Sequence, residues 1–492
     1  MNLTDISPTI INSLKNKKIL ILGLGREGRS TYEFLRQILP DVQLTLADQN
    51  HLENLNTFWQ TEIADNQLTK TQLGADYLQN LTNFDLIFKT PGIPLNIPEL
   101  NSAEEYGVFF SSNLQLFLQI LTAWQKQTQT SFKNTNLPLP LLIGVTGTKG
   151  KSTTSSLIAH VLQENNLPVT LVGNIGTPAL SQLKQISANG IVVMEMSSHQ
   201  LAQLSISPDI AVVQKITSEH LDYYQNQQKY IDAKKPITKY QKVDQYIIYN
   251  PSWIHTKEVA EQGLSQKIHY GNGTNNLNSD VQVYIKNNKL ILKDSKTKIS
   301  VINIENSPLL GQHNLFNIMP SIAVGTLLKI EPQNIAQAIQ TFQPLPHRLE
   351  KVAEINGVTY VNDSLATMPD AAVSAIKAFP DKNIVLLAGG HERHQSFTEL
   401  AQTILKAQIK GLILFPPTGK RLWEAVKKQA EKKQIPAPKH LFVENMKTAV
   451  KQAQELAQTG DLVLLSPAAA SFGVFKNYQD RGEQFKQVAL SI

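Results

Sequence analysis

The sequence contains no cysteine among its 492 residues. This absence excludes disulfide bonds, thiolate nucleophiles and cysteine-ligated zinc sites, and it fits a reducing compartment or a protein indifferent to redox conditions. Long apolar runs are absent too, since none approaches the ~18 residues of a membrane-spanning helix. The beginning of the chain, with Asp5 in it, has no cleavable signal pattern. We therefore expect a cytoplasmic protein without a membrane span.

Neither sign of charge dominates, since 46 lysines and arginines stand beside 40 acidic residues and the net charge is +6. The basic excess is concentrated between Lys420 and Lys439, and the solvent face of a helix explains this stretch better than a nucleic-acid patch does. We expect small-molecule substrates, no nucleic-acid partner and a monomer. At ~100–200 residues per domain, the length indicates about three domains.

Composition separates three blocks, which predict domains at residues 1–137, 138–345 and 346–492. The first block alternates strand-like and helix-like segments and ends in a polar, proline-containing linker at residues 128–140. The second holds short apolar strands and an alternating stretch at residues 281–292 that is typical of a hairpin.

The third block alternates strands and helices regularly, which indicates an open parallel sheet with helices on both faces. The predicted fold is therefore α/β, with a Rossmann-like first domain, a central α/β domain and a Rossmann-like C-terminal domain. The apolar runs predicted as strands are residues 18–22, 42–47, 85–88, 139–145, 191–196, 210–213, 384–388, 411–415, 441–443 and 462–465.

The most informative segment is Gly-Val-Thr-Gly-Thr-Lys-Gly-Lys-Ser-Thr at residues 144–153. It lies between a predicted strand and residues 155–162, whose apolar side chains have helical spacing. A strand, a glycine-rich loop, Gly-Lys-Ser and a helix form a phosphate cradle, in which Lys151 reaches the outer phosphates and the Ser152 hydroxyl binds Mg²⁺. The strict Walker pattern has glycine where this chain has Val145. The segment predicts a nucleoside triphosphate site, and with it a central domain of the P-loop ATPase-type α/β class.

A second glycine motif, Gly-Leu-Gly-Arg-Glu-Gly at residues 23–28, follows a predicted strand and opens a helix, with Asp48 twenty residues beyond it. This is the dinucleotide fingerprint, and alone it would indicate an NAD-dependent dehydrogenase. Physically it requires only a diphosphate on the helix N-terminus and an acid near a ribose, which a UDP-sugar also satisfies. Farther along, Glu195 ends an apolar strand where nucleotide enzymes commonly hold Mg²⁺, and His220 lies in Ser-Glu-His-Leu-Asp.

In order and spacing, these motifs resemble the Mur ligases, ATP-dependent amide-forming enzymes of cell-wall precursor synthesis related to the folylpolyglutamate synthases. The similarity extends from about residue 18 to 482. The motifs that carry it are residues 146–153, 173–176, 195, 220–222, 233–234, 311–314 with 317, 346–348, 362–364 and 466–468. Within the family, residues 90–93 and 471–478 with 481–482 resemble the branch that adds glutamate to UDP-N-acetylmuramoyl-L-alanine.

The resemblance implies ATP, two Mg²⁺ ions and a carbamylated Lys234, with Lys151, His220 and Lys234 central to catalysis. The implied ATP-binding residues are Gly147, Thr148, Lys149, Gly150, Lys151, Ser152, Thr153, Asn314, Asn317, Arg348 and Asp363, the last two meeting the nucleotide when the third domain closes. The implied metal ligands are Ser152, Glu195, His220 and Lys234. The implied contacts to the UDP substrate are Arg26, Glu27, Asp48, Thr90 and Asn174, and those to the amino acid are Arg393, Ser471 and Phe472.

Two positions depart from the D-glutamate enzymes of this family, which carry lysine where this chain has Leu365 and Arg393. Leucine cannot bind a carboxylate, and an arginine fork differs from a lysine point charge. A smaller branch that adds L-glutamate looks similar at both positions. We expect D-glutamate as the amino acid, with L-glutamate as the alternative. The motifs are less compatible with a folylpolyglutamate synthase-type ligase, an NAD-dependent dehydrogenase or a binding protein without turnover.

Overall fold

The structure is a computed structural model, and it describes residues 1, 5–94, 96–133, 135–173, 177–219, 221–273, 279–295 and 297–491. These residues form three β-sheets with helices packed around them. They divide into two compact units. One comprises Met1–Asn306 and Phe316–Gln340, and the other comprises Ser307–Leu315 and Thr341–Ile492. The predicted α/β class is confirmed, and the boundaries at residues 137 and 345 stay predictions.

The first sheet of the first unit is parallel over the residues described, with strand order β3-β2-β1-β4-β5. Its buried apolar strands confirm three predicted strands to within two residues at each end. The strands are β1 (Ile19–Leu22), β2 (Leu44–Asp48), β3 (Thr69–Leu73), β4 (Leu86–Lys89) and β5 (Phe109–Ser111). The helices are α1 (Pro8–Lys15), α2 (Arg26–Ile38), α3 (Thr57–Asp65), α4 (Pro98–Glu105) and α5 (Asn113–Thr128).

The second sheet of this unit is mixed, with order β14-β13-β12-β11-β10-β9-β6-β8-β7 among the described residues. Its strands are β6 (Leu141–Thr146), β7 (Val169–Gly173), β8 (Ile191–Glu195), β9 (Ile210–Val213), β10 (Tyr246–Tyr249), β11 (Gln266–Gly271), β12 (Gln282–Lys286), β13 (Lys289–Lys293) and β14 (Lys298–Asn303). Its helices are α6 (Lys151–Glu164), α7 (Ser198–Leu201), α8 (Leu221–Tyr224), α9 (Gln227–Asp232), α10 (Pro236–Lys239), α11 (Ile254–Ala260), α12 (Gln312–Leu327) and α13 (Pro332–Thr341), of which α12 begins in the other unit.

The predicted hairpin at residues 281–292 is confirmed as the antiparallel pair β12 and β13. Its two-residue turn, Asn287 and Asn288, has φ values of 50° and 57°. Asparagine tolerates this left-handed conformation, which two-residue hairpin turns require.

The third sheet has order β15-β16-β20-β17-β18-β19 and corrects one prediction. The block was predicted to be a parallel sheet, but its edge strand β15 pairs antiparallel with β16, because the two are joined by a tight turn at Asn356 and Gly357 rather than by a helix. The strands are β15 (Glu350–Ile355), β16 (Val358–Asn362), β17 (Ile384–Gly389), β18 (Ile409–Phe415), β19 (Lys439–Phe442) and β20 (Leu462–Leu465). The helices are α14 (Pro369–Lys377), α15 (Thr398–Lys406), α16 (Thr418–Lys433), α17 (Met446–Leu456) and α18 (Tyr478–Leu490).

Helices cover both faces of this sheet, as predicted. Leu386 and Leu412 pack in one core cluster with residues of α14, α15 and α16. Their neighbours Leu387 and Ile413 pack in a second cluster with residues of α17 and α18. Strands buried on both faces are continuous apolar runs, which is why the sequence made them easy to locate.

Most of the lysine-rich stretch forms α16, whose lysines lie mainly on its exposed side, as the sequence predicted. Among the residues that the structure describes, no helix has both the length and the apolarity to cross a lipid bilayer.

Candidate active site

The phosphate loop connects β6 to α6 and depends on two glycines. Gly147 has φ +149° and Gly150 has φ +85°, values that side chains rarely allow. A Cβ atom on Gly147 would lie 2.6 Å from the Cβ of Gln214, and one on Gly150 would lie 2.3 Å from Oδ1 of Asn317. The loop is therefore closely packed from both sides, and its backbone N–H groups lead directly into the N-terminus of α6, where anions are favoured.

Lys151 is the first residue of α6, and its side chain folds back over the loop. Its ammonium donates to the carbonyl oxygens of Gly147, over 3.1 Å, and of Thr148, over 2.9 Å. Within the same predicted set, Lys149 is exposed, Ser152 is half-buried and Thr153 is buried. The structure thus brings the residues predicted to bind phosphate together in one loop and at the start of one helix, and their role stays a prediction.

Glu195 lies at the same edge of the sheet as this loop. It is the last residue of β8 and pairs in register with Val145, the residue two before Gly147. Only 2% of Glu195 is exposed. A carboxylate at this strand end and the Ser152 hydroxyl are oxygen donors of the kind that Mg²⁺ prefers, so these residues fit the implied metal.

Two predicted residues lie outside the described part of the chain: the metal ligand His220 and the UDP-substrate contact Asn174. Among the residues that are described, no three histidines or carboxylates gather in one place. Of the four residues predicted to hold the metal, Ser152, Glu195 and Lys234 are described.

Lys234 is 1% exposed, and its ammonium donates to the carbonyl oxygen of Gly147 over 3.1 Å. The same nitrogen lies 4.6 Å from the centre of the Tyr230 ring. Burial lowers the pKa of Lys234 well below its usual range, and the charge of Lys151 lowers it further, while Glu219 opposes the shift. A neutral amine is the form that reacts with carbon dioxide, so the environment of Lys234 suits carbamylation.

Asn317 lies on α12 beside the phosphate loop, where its Oδ1 accepts a 3.4 Å hydrogen bond from the Thr154 hydroxyl. Sequence reasoning missed Gln214, which donates to the Thr154 hydroxyl and to the backbone oxygen of Phe316, both over 2.9 Å. Gln214 thus connects α6 to α12.

The other predicted asparagine, Asn314, belongs to the other unit, where its side chain donates to the backbone oxygen of Leu310 over 2.6 Å.

The second glycine loop, between β1 and α2, is organised by two of the predicted residues. Oδ2 of Asp48 accepts from the backbone N–H of Leu24 over 2.7 Å. The Thr90 side chain lies against Gly23, where a Cβ atom would meet its hydroxyl at 2.1 Å. Arg26, at the first turn of α2, is exposed. Arg26, Asp48 and Thr90 therefore lie beside one helix N-terminus, a position that favours anions.

Glu27 is also predicted to contact the UDP substrate, and its carboxylate is hydrogen-bonded to a residue beside the second sheet. Its Oε1 accepts a 2.9 Å hydrogen bond from the amide of Gln200, a residue of α7 beside the second sheet. Burial raises the pKa of Glu27, and the bond from Gln200 and the charge of Lys89 oppose that rise. Sequence reasoning missed both Gln200 and Lys89, because neither belongs to a recognisable motif.

In the other unit, Asp363 lies at the end of β16 and is 8% exposed. Its carboxylate accepts from the Ser466 hydroxyl over 2.8 Å and from the backbone N–H of Leu349 over 3.2 Å. Burial raises the pKa of Asp363 to about 7, while those two hydrogen bonds and then the charge of Arg348 act against the rise. Asp363 and Arg348 are thus near neighbours, as their predicted shared role requires.

The predicted amino-acid residues follow the ends of β17 and β20. Arg393 and Phe472 are exposed, and Ser471 is buried. The ring of His391 lies edge-on to that of Phe472, 5.9 Å between centres, and His391 forms an isolated bridge with Ala470. The two segments are therefore adjacent, and the structure brings these three predicted residues to one region.

The segment that carries Arg393 is held by an ion pair that sequence reasoning missed. Arg421 of α16 binds Glu392 through two hydrogen bonds of 2.9 and 2.8 Å and donates to the backbone oxygen of Gln395 over 2.7 Å. Such bidentate pairs fix geometry as well as adding energy. The loop that carries Arg393 is therefore fixed at Glu392, the preceding residue, by its ion pair with Arg421.

A buried arginine lies behind the Ser471 segment. Arg481 of α18 is 0% exposed and donates to the Ser364 hydroxyl over 3.0 Å, the Ser364 carbonyl over 2.8 Å and the Ala469 carbonyl over 3.0 Å. Burial lowers its pKa to about 9. Arg481 thus joins the segment after β16 to the segment after β20. In the sequence, only the dipeptide Arg-Gly at residues 481–482 drew attention to it.

Three protein-family models match the chain. One described as a Mur ligase MurD-like N-terminal domain matches residues 17–110, one described as a Mur ligase middle domain matches residues 145–325, and one described as a Mur ligase glutamate ligase domain matches residues 347–469.

Curated relatives are similar over almost their whole length. A UDP-N-acetylmuramoylalanine–D-glutamate ligase of Acetivibrio thermocellus is 31% identical over 485 residues, with 97% of each chain covered. The enzyme of the same name from Clostridioides difficile is 32% identical over 475 residues, with 96% of this chain and 98% of that one covered.

Solved structures share the fold at low sequence identity. A UDP-N-acetylmuramate–alanine ligase of Thermotoga maritima has a TM-score of 0.53 at 16% identity, covering 97% of this chain and 100% of that one. A MurF ligase of the same organism, in complex with ADP, has a TM-score of 0.54 at 17% identity, covering 98% and 97%.

Proposed function

This chain belongs to the Mur ligase family, and on that premise we propose that it joins D-glutamate to UDP-N-acetylmuramoyl-L-alanine with ATP, releasing ADP and phosphate. The curated relatives that match nearly its whole length carry the name of this activity. The observation that carries the proposal in the structure is the pair of amines, Lys151 and Lys234, on the Gly147 carbonyl of a phosphate loop.

The reaction has two steps. An oxygen of the alanine carboxylate attacks the γ-phosphorus of ATP, ADP leaves, and an acyl phosphate forms. The glutamate amine then attacks the acyl carbon, loses a proton and expels phosphate. Because negative charge gathers on phosphate oxygens in both steps, the site needs cations and oriented N–H donors rather than a nucleophilic side chain.

Lys151 and the amides of the loop supply these groups. The Lys151 ammonium rests on the carbonyls of Gly147 and Thr148. When a triphosphate enters, the ammonium exchanges these neutral acceptors for phosphate oxygens, which bind it more strongly. Ser152, Glu195 and His220 are the proposed Mg²⁺ ligands, and Mg²⁺ when bound would neutralise phosphate charge as it develops.

We propose that Lys234 acts as a carbamate. Its buried amine and depressed pKa favour the neutral form, and carbon dioxide adds to a neutral amine with loss of one proton. The product is a carboxylate in place of a cation, and it supplies oxygen ligands in addition to those of Ser152 and Glu195.

The substrate is tested by offering the purified protein ATP, Mg²⁺ and UDP-N-acetylmuramoyl-L-alanine with D- or L-glutamate, and measuring phosphate release. We expect release with the D isomer. Release with the L isomer alone would show that the chain adds L-glutamate instead. Leu365 and Arg393, which replace the lysines of the D-glutamate enzymes, are the residues that raise this alternative. Release with a folate acceptor and none with the UDP substrate would refute the proposal.

A further inference from the structure

A buried polar contact joins the two sheets of the first unit beside the proposed active site. Gln200 is 7% exposed and uses both ends of its amide. Its Oε1 accepts from the backbone N–H and from the hydroxyl of Ser197, both over 3.1 Å. Its Nε2 donates to Oε1 of Glu27 over 2.9 Å. Since a backbone N–H can only donate, the amide oxygen must face Ser197 and the NH₂ group must face Glu27.

Each end of this contact is next to a residue of the proposed chemistry. Ser197 follows the metal-ligand candidate Glu195 by two positions and caps α7 in a reciprocal capping box with Gln200. Glu27 lies in the first turn of α2, the helix whose N-terminus is proposed to bind the diphosphate. A single side chain therefore connects the turn after the metal carboxylate to the helix that would hold the UDP-sugar.

A second contact runs in parallel with the first. The Tyr223 hydroxyl of α8 donates to the carbonyl oxygens of Pro91 and Ile93, over 3.3 and 3.2 Å. Lys89, which is 1% exposed, binds the same segment, residues 90–93, on its buried side. Its ammonium donates to the carbonyls of Thr90, over 3.0 Å, and Ile93, over 2.5 Å.

The two contacts are themselves joined. The ring of His199, which precedes Gln200, lies edge-on to the ring of Tyr223, 4.3 Å between centres. Tyr223 follows the other metal-ligand candidate, His220, by three positions. Two of the chain segments that carry candidate metal ligands, the one after Glu195 and the one after His220, are thus hydrogen-bonded to segments proposed to hold the UDP-sugar beside the first sheet.

We propose that Gln200 and Tyr223 are positioning residues that set the distance between the acceptor carboxylate and the γ-phosphate. This rests on the proposed function. In that reaction the UDP-sugar is held at one sheet and ATP at the other, and the first step requires their reacting atoms at ~3–3.5 Å. Gln200 and Tyr223 act on the segments that hold the substrates rather than on the reacting atoms, so loss of either contact should slow the transfer much more than it weakens the binding of either substrate.

The decisive variant is Gln200→Glu. A glutamate can still accept from the Ser197 N–H, so the capping box survives, but it places a carboxylate against that of Glu27. Glu27→Gln combined with Gln200→Glu exchanges donor and acceptor across the same contact and should restore it. Tyr223→Phe removes the second tie and keeps the ring that packs on His199. Gln185→Glu, at an exposed position near the same sheet, is the matched control.

We expect Gln200→Glu to lower kcat by about 100-fold, the loss that a ~1 Å displacement of reacting groups causes. Calorimetric Kd values for ATP and for UDP-N-acetylmuramoyl-L-alanine, each measured alone, should stay within about twofold. The double variant should recover most of kcat, and Tyr223→Phe should lower kcat with the same unchanged Kd values. Gln185→Glu should match the wild type.

The proposal is overturned if Gln200→Glu and Tyr223→Phe both keep the wild-type kcat, if weaker substrate binding accounts for their loss, or if the double variant recovers nothing. Should Gln200→Glu fail to fold, Tyr223→Phe and the double variant decide the matter by the same measurements. A wild-type protein that transfers no glutamate to this acceptor would overturn the proposed function as well, which separates the two failures.

Discussion

The side-chain ammonium groups of Lys151 and Lys234 both donate to the carbonyl oxygen of Gly147, each over 3.1 Å. Two cations on one neutral acceptor repel each other, and Lys234 is the one deprived of solvent, since it is 1% exposed. The repulsion and the burial therefore fall on Lys234, whose pKa is lowered well below its usual range. Placing the two amines together in a buried site therefore favours the neutral form of Lys234.

The first prediction follows from this pair. Replacing Lys234 with alanine should lower glutamate-dependent phosphate release by about 100-fold or more, because the proposed carbamate ligand is lost. Acetate or formate should restore part of the rate by entering the space with a carboxylate. Lys234→Arg, which cannot form a carbamate, should remain inactive with or without acetate. Full activity of Lys234→Ala would show that the residue is only a buried lysine.

A direct measurement complements the rate. Wild-type protein equilibrated with ¹³C-bicarbonate should show a carbamate carbon resonance that Lys234→Ala and Lys234→Arg lack. A wild-type spectrum without that resonance, in a protein that is active, would mean that Lys234 acts as an amine.

The phosphate loop was predictable because its parts are adjacent in sequence and each has a physical signature: an apolar run, glycines at positive φ and a helix. The same holds for β9 and β20, which were predicted at the residues observed, since strands buried on both faces have no polar interruption. Strand β15 was missed because it is an edge strand of six residues in which two charged residues, Lys351 and Glu354, are exposed and none is fully buried, a pattern shared with many loops.

The ties between substrate loops were not predictable. Gln200 and Glu27 are 173 positions apart, and a glutamine in a short helix carries no periodic or compositional signal. Motif resemblance assigned Glu27 to the UDP-substrate pocket, which stays a prediction, but it gave no sign that Gln200 donates a hydrogen bond to the Glu27 carboxylate. Arg481 was in a recognised motif, but its three acceptors could be found only once the segments after β16 and β20 were folded together.

The second prediction concerns acid-dependent stability. Asp209 is 4% exposed and accepts from the Leu142 N–H and from the side chains of Gln125 and Gln245, each over 2.9 Å. Burial nevertheless raises its pKa from 3.8 to about 6, against those three hydrogen bonds. The folded state therefore holds a proton that the unfolded state releases, and the stability from this group is present below pH ~4 and is lost as the pH rises through about 6.

The size of this effect is about 3 kcal/mol, since each pKa unit corresponds to about 1.4 kcal/mol. Urea unfolding of the first unit, followed at pH 4.5, 5.5 and 7, should show this decline in the wild type. Asp209→Asn should be flatter over the same interval, because its amide does not titrate. Glu164→Gln, an exposed change at the end of α6, should keep the wild-type slope. Equal slopes in Asp209→Asn and wild type would contradict the prediction.

The third prediction concerns Arg481. Arg481→Lys should destabilise the second unit by about 3 kcal/mol, because one ammonium cannot satisfy the acceptors that a planar guanidinium reaches and buried carbonyls are left unpaired. Hydrogen exchange of peptides from α18 and from residues 462–471 should accelerate, while peptides of the first unit keep their rates. Lys451→Met, an exposed change on α17, is the control. Unchanged exchange in Arg481→Lys would mean that its hydrogen bonds are dispensable.

The last prediction concerns how the amino acid is held. Arg393 is exposed on a loop that the Glu392–Arg421 pair fixes, and its fork can bind one glutamate carboxylate with two hydrogen bonds. Arg393→Ala should raise the KM for glutamate by about 30-fold, the equivalent of a charge-assisted contact of ~2 kcal/mol, and leave the KM for ATP unchanged. Arg393→Lys should lie between the two, because a point charge keeps attraction but loses the fork. Leu365→Lys should lower the KM for D-glutamate if its position faces the second carboxylate.

The control for these variants is Lys406→Ala, an exposed change on α15 that should behave as wild type. Equal KM values in Arg393→Ala and wild type would remove Arg393 from the amino-acid site and leave the carboxylates to the Ser471 segment.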